Sequence, residues 1–555
     1  MTWRFWTLSG TASFYECKPV FTFGLRLGPD PYRIPPGLES SAREFVEAPE
    51  APDFAPGHKG LKADALGYAS NLVIAIASTA PAYSLAATLG FIVAVGGIGV
   101  HAPAVLIVSF IPILFVSVGY RFFNLADPDA GTTFAWVTRA FGPQLGWING
   151  WAIFLADIIV MASLAAIASD YTFLLFSHSG APNNFWLIVG AVLWIILMTW
   201  ICYRGIELSA RVQTWLLGFE IATLTLFVIV SLVKVYANNP AHSIHVSASW
   251  FNPFDLGWGP LIDGVLLGIF IYWGWDSGVA VNEESRDKNR GPGKAAVVST
   301  LILLLIYVLA TAGAQAYHGP GFLANPNNQN DILNALGTAV FGSPLNKLMI
   351  IAVLTSASAS TQTTILPTAR TTLSMARWQA IPGAFGRIHP RFLTPSFSTL
   401  LMGGLSILWT VALLAFNPNQ DVLGDTISAL GFAVCFYYGF TGLACAVYFR
   451  RDVFKSVRNF FFAGLIPVVG GLMMAYVGIK AYSYYNTAGN NYSKPVFGIQ
   501  VPIFVGIGGL LVGVILMFAS WPFFRGFFRR KWWEAADPAV LEDDANYTPH
   551  PVVPE

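Results

Sequence analysis

The chain has 555 residues, 55% hydrophobic and 11% charged, with mean hydropathy +0.58 and a formal net charge of +1. A soluble domain carries about 25% charged residues, so a water-soluble globular fold is excluded. The near-neutral balance gives no electrostatic reason to bind nucleic acid.

Apolar runs long enough to cross a bilayer recur from about residue 67 to residue 523, without the short alternating strands of a membrane barrel. The expected fold class is therefore an all-α membrane protein. Residues 1–66 hold no such run; "IPPGLESSAREFVEAPEAPDFAPGHKG" reads as a disordered cytoplasmic tail. Residues 1–30 fit equally well a start of translation placed too early.

Twelve spans are expected: 67–93, 104–124, 143–176, 184–203, 209–236, 259–284, 295–317, 346–375, 397–416, 422–449, 461–482 and 500–523. With the N-terminus inside, twenty lysines and arginines of the loops and C-terminal tail fall on the cytoplasmic side. Only Lys234, Lys347, Lys480 and Lys494 fall opposite. This asymmetry favours cytoplasmic N- and C-termini. The expected organisation is a tail (1–66), a ten-helix core (67–449), two additional helices (450–523) and a cytoplasmic C-terminal tail (524–555).

The first span, "NLVIAIASTAPAYSLAATLG", is interrupted at Ser78, Thr79 and Pro81. Proline is favoured at the first turn of a helix, with Ser or Thr before it as cap. A new half-helix starting at Pro81 would aim its free N–H groups, from Ala82 onward, at an anion such as a carboxylate. A proline kink that serves packing alone is the competing reading. The third span carries Asp157, for which the sequence names no partner. In the fifth, Glu220 of "LLGFEIATLTLF" can carry a proton or attract a cation, or can lie against polar groups of span one or eight.

The sixth span, "FIYWGWDSGVAVNEE", breaks at Gly274–Gly278 and places Asp276 at membrane depth. An ionisable group there is costly and commonly functional. Asp276 either faces the site and exchanges a proton or caps the second half-helix by accepting N–H groups of Gly278 or Val279. Glu283 and Glu284, before Arg286, Lys288 and Arg290, suit an inner gate or a solvated helix end equally. In the eighth span "LTSASASTQTT" presents hydroxyls, among them Ser356 and Ser360, that could hold Na⁺ or simply pack helices. Paired breaks five spans apart are what a secondary transporter with two inverted repeats requires around its site.

Cys17, Cys202, Cys435 and Cys445 are scattered, and the eight histidines lie in tails, loops or span ends. No disulfide framework, metal site or nucleotide-binding glycine loop is implied, so neither a cofactor nor an enzyme activity is expected.

Four segments together resemble the amino acid–polyamine–organocation (APC) permeases over about residues 65–525: the broken first span, "PDAGTTFAWVTRAFGPQLGWINGW", "FIYWGWDSGVAVNEE" and "PTARTTLSMARWQAIP". The resemblance implies a five-plus-five inverted-repeat (LeuT-like) fold with two additional helices. It implies alternating-access transport of an amino acid or related amine, by H⁺ or Na⁺ symport or by exchange. H⁺-coupled import is favoured, with a non-transporting nutrient sensor or a channel as rivals. The implied substrate positions are Ser78, Thr79, Ala80, Pro81 and Ala82 in the first span and Phe270 (an aromatic gate), Trp273, Gly274 and Asp276 in the sixth. Asp276, Glu220, Ser356 and Ser360 are the coupling candidates. Here Thr79, Ala80 and Pro81 replace the family's Gly-Ser-Gly, and Trp273 replaces a small residue. Both changes point to an unusual pocket, and Trp273 could also offer a cation–π face.

Overall fold

The computed structural model describes residues 59–177, 180–329, 332–416, 421–491 and 493–529. The expected tail residues 1–58 and C-terminal residues 530–555 lie outside them. Among the described residues the fold is all helical, with only isolated β-bridges such as Leu66 with Ser285.

The elements used below are α1 (Tyr68–Ser78), α2 (Pro81–Ala94), α3 (Ala102–Ala126), α4 (Thr133–Phe141), α5 (Pro143–Phe176), α6 (Asn184–Tyr203), α7 (Ile206–Asn238), α8 (Trp258–Ile271), α9 (Ser277–Ala280) and α10 (Gly291–Leu323). They continue with α11 (Ile332–Phe341), α12 (Lys347–Arg377), α13 (Ser396–Phe416), α14 (Asp421–Tyr448), α15 (Ile466–Tyr485) and α16 (Val501–Ser520).

Eleven described helices, with α1 and α2 taken as one, are long and apolar enough to cross a membrane. Of the twelve expected spans, the sixth is the one missing from that set. Its helix α8 has only 14 residues and stops at Ile271, well before the expected end at 284. The cause is the break itself: Tyr272 and Trp273 turn back onto Ile269 and Phe270, and Gly274 takes φ +116°.

Exposed Leu193, Trp215, Ile229, Leu305, Leu408, Ile479 and Ile515 form an apolar outer surface, which suits hydrocarbon rather than water. Inside, α12 is buried along most of its length and packs against α1, α2, α5 and α7. Its many Ser and Thr side chains return hydrogen bonds to their own helix, as Ser358 does to Leu354 and Thr361 to Ala357. That keeps its surface small and lets neighbouring helices approach closely. The broken first span is thereby held between α10 and α12.

Candidate functional site

The two breaks meet. Ser78 Oγ and Ser277 Oγ are 2.8 Å apart, and the space over Gly274 is filled by the Ser78 carbonyl, 2.7 Å from where a Cβ would stand. Glycine is required twice here, for the positive φ and for this approach.

Helix α2 begins at Pro81, as the sequence suggests, but the cap differs from the expected one. Ala80 is the N-cap residue, left-handed at φ +48°, and no side chain caps the helix. Thr79 Oγ1 instead donates back to the Ile76 carbonyl at 2.7 Å. The carbonyls released at the break are also taken: Ser360 Oγ donates to Ser78 at 2.9 Å and Ser84 Oγ to Thr79 at 2.6 Å.

The N–H groups expected to be open to a substrate are taken as well. Ala82 N–H donates to Glu220 Oε1 at 2.7 Å, and Tyr83 N–H donates to Ser356 Oγ at 3.1 Å. Glu220 is fully buried, and its second oxygen, Oε2, has no hydrogen-bond partner. The positive end of α2 is thus met by a carboxylate of the protein itself. Span one supplies the polar partner that one reading of Glu220 anticipated.

Asp276 precedes α9 but does not cap it. Its oxygens turn to α14, where Tyr438 OH donates to Oδ1 at 2.8 Å and Tyr437 OH to Oδ2 at 3.3 Å. Trp273 Nε1–H in turn donates to Tyr437 OH at 2.5 Å. An indole nitrogen only donates, so the Tyr437 oxygen accepts there and its proton is left to donate to Asp276. Trp275 stacks on Tyr438 at 5.3 Å between ring centroids. Phe270 is buried beside Thr88, Cys435 and Tyr485 in a narrow apolar crevice. Asp157 accepts from Thr368 Oγ1, which names the partner that the sequence left open. None of Asp157, Glu220 and Asp276 forms an ion pair with a Lys or Arg of the described residues.

A second polar cluster closes the end of the bundle that carries the basic loops. Lys59 Nζ lies 2.6 Å from Asp129 Oδ1 and 2.5 Å from Glu283 Oε1. Asp129 also accepts from Gly131 N–H at 2.7 Å, Ser374 Oγ at 2.7 Å and Trp378 Nε1 at 3.2 Å. Arg370 grips Glu284 with Nε at 2.5 Å and Nη2 at 2.8 Å. Burial alone would lower the Lys59 value, but Asp129 and Glu283 outweigh it and hold it above the ordinary lysine range. Burial would raise Asp129, yet Lys59 and the surrounding donors hold it below the usual carboxylate range. Of the alternatives for Glu283 and Glu284, the structure has the paired one.

The sequence profile of the amino acid permeases matches residues 66–507. The chain belongs to the amino acid permease family. Among relatives within the wider APC group, it is similar to the low-affinity putrescine importer PlaP of Escherichia coli K12, 23% identical over 375 residues, which cover 67% of this chain and 79% of that one. It is also similar to the branched-chain amino acid permease BcaP of Bacillus subtilis, 22% identical over 394 residues, covering 67% and 78%. The methylthioribose transporter of Bacillus subtilis is 25% identical over 379 residues, covering 63% and 73%.

Within this permease, three of the segments that carried the resemblance converge on one place. Asp129 comes from "PDAG", Ser374 and Trp378 from "SMARW", and Glu283 from "NEE". Sequence reasoning missed Lys59, which sits in a charged segment without apolar context. It also missed Tyr437 and Tyr438, whose "FYYGF" reads as ordinary aromatic filling; a pair of tyrosines opposite a membrane-depth acid was the signal available.

Proposed function

We propose that this permease is a secondary active transporter that imports an amino acid or related amine by alternating access, coupled to protons. Twelve spans would result if α8 and α9 together make the discontinuous sixth. The five-plus-five repeat then pairs it with α1 and α2. Both termini would be cytoplasmic, in a cell membrane.

The observation that carries this reading is the meeting of two broken helices beside the buried acids Glu220 and Asp276, neither of which is ion-paired with a Lys or Arg of the described residues. Buried carboxylates are stable only with a proton, a cation or several donors. A proton and a cationic group of the substrate can therefore alternate on them. Ser360 and Ser356 are engaged with Ser78 and Tyr83 directly, which favours the packing role over a sodium site. The Lys59 cluster and the Arg370–Glu284 pair would form the closed inner gate.

The test is uptake into proteoliposomes of labelled amino acids and amines, with pH and Na⁺ gradients imposed separately. Saturable uptake driven by a pH gradient alone, and lost in Asp276→Asn, is expected. Uptake that follows Na⁺ alone, or is unchanged by Asp276→Asn, would refute proton coupling through this residue. Saturable binding without flux would identify a sensor, and non-saturating conductance a channel.

A further inference from the structure

We propose that Glu220 sets the substrate class: the transported molecule is an organic amine without a carboxylate, because Glu220 occupies the seat a substrate carboxylate would need. The inference rests on the transporter reading and sharpens its substrate.

The seat is defined by the break. Pro81 has no N–H, so Ala82 and Tyr83 supply the first donors of α2. Glu220 Oε1 takes the Ala82 donor at 2.7 Å and Ser356 Oγ takes the Tyr83 donor at 3.1 Å. A substrate carboxylate would have to displace Glu220 Oε1 and Ser356 Oγ from the first N–H donors of α2, both already taken. Glu220 Oε2 is buried without a full hydrogen-bond partner among the described residues, with the Ser356 hydroxyl beside the carboxyl. An ammonium supplies several N–H donors together with the missing positive charge.

The surroundings fit the same class. Asp276, on the sixth-span side of the break, has two tyrosine donors and no ion pair with a Lys or Arg of the described residues. Two acids flanking one break, neither ion-paired with a Lys or Arg of the described residues, select for positive charge and against negative charge.

The experiment compares matched pairs in proteoliposomes: ornithine with putrescine, arginine with agmatine, and leucine with isopentylamine. For the wild type, saturable uptake of at least one amine is expected at ten times or more the rate of its parent amino acid. Glu220→Gln keeps an acceptor for Ala82 N–H and removes the charge; its KM for the amine should rise at least tenfold. A size-exclusion profile matching wild type shows that the variant is folded.

Amino acid uptake equal to or faster than that of the amines overturns the inference while leaving transport intact. An unchanged amine KM in folded Glu220→Gln also overturns it. No uptake of any compound, with no ligand-induced rise in Tm, refutes the transporter reading itself and this inference with it.

Discussion

Lys59→Met is the sharpest probe of the proposed inner gate. Methionine keeps most of the side-chain length and removes the one cation between Asp129 and Glu283. Breaking a buried ion pair by deleting one partner costs about 3–5 kcal/mol. Asp129 would keep its bonds from Gly131, Ser374 and Trp378, and Glu283 would keep Ala130 N–H, so the lower end of that range applies. In an open state both carboxylates can be hydrated, so most of the penalty falls on the closed state. At about 1.4 kcal/mol per decade, ~3 kcal/mol moves the closed-to-open ratio roughly 100-fold. The readout is modification of Thr371→Cys, in a background without the native cysteines, by a membrane-impermeant thiol reagent applied from the Lys59 side. Thr371 is buried on α12, close in sequence to Arg370 and Ser374. The rate should rise by about two orders of magnitude. Lys62→Met, which removes only an exposed pair with Glu207, should change it by less than about fivefold. An unchanged rate in monodisperse Lys59→Met protein would refute the gating role.

Gly274→Ala should abolish uptake and lower Tm, because its Cβ meets the Ser78 carbonyl at 2.7 Å and φ is +116°; uptake at wild-type rate would mean that the two breaks do not meet in this way. Tyr438→Phe removes a donor to the Asp276 carboxylate. A bond of that type is worth about 1.5–3 kcal/mol, so a roughly 10- to 100-fold fall in kcat/KM is expected in the uptake assay. The Lys59–Asp129 pair should be insensitive to pH across the neutral range. The Asp129 contribution is present above about pH 3.9 and lost as pH falls through its lowered folded value, while that of Lys59 is present below about pH 10.4 and lost as pH rises through its raised value. In Lys59→Met burial of Asp129 is no longer offset by a cation, so the Tm difference from wild type should widen as pH rises above about pH 4, and a difference independent of pH would contradict the assigned charges.

Most of the fold was legible because membrane helices are written in composition: a long apolar run has few alternatives in a bilayer. The breaks were legible too, since Pro81 cannot continue a helix ladder and Gly274 stands inside an apolar run as a residue that favours a helix break. What could not be read was pairing. Which side chain reaches the Ala82 N–H depends on the approach of α7, and a backbone donor leaves no mark in sequence. The Ser/Thr capping expected at Pro81 failed because Thr79 found a nearer acceptor in its own helix. Lys59 was hidden for a different reason: its partners lie 70 and 224 residues away. The family segments suggested a substrate site, yet three of them build the closure at the basic end.

The chain of donors from Trp273 through Tyr437 gives the two oxygens of Asp276 different chemical futures. Oδ2 faces the Tyr437 hydroxyl, which accepts the indole N–H and donates its own proton to the carboxylate. Oδ1 faces Tyr438, a free rotor that can switch from giving to receiving. Were Asp276 to take up the proton proposed above, Oδ1 would be the oxygen whose neighbouring hydroxyl could turn to receive it. That hydroxyl belongs to a ring stacked on Trp275, which meets Tyr120 edge-on, and Tyr120 in turn meets Trp136. The aromatic contacts of the sixth-span break thus run on to α3 and α4, the helices that flank Asp129.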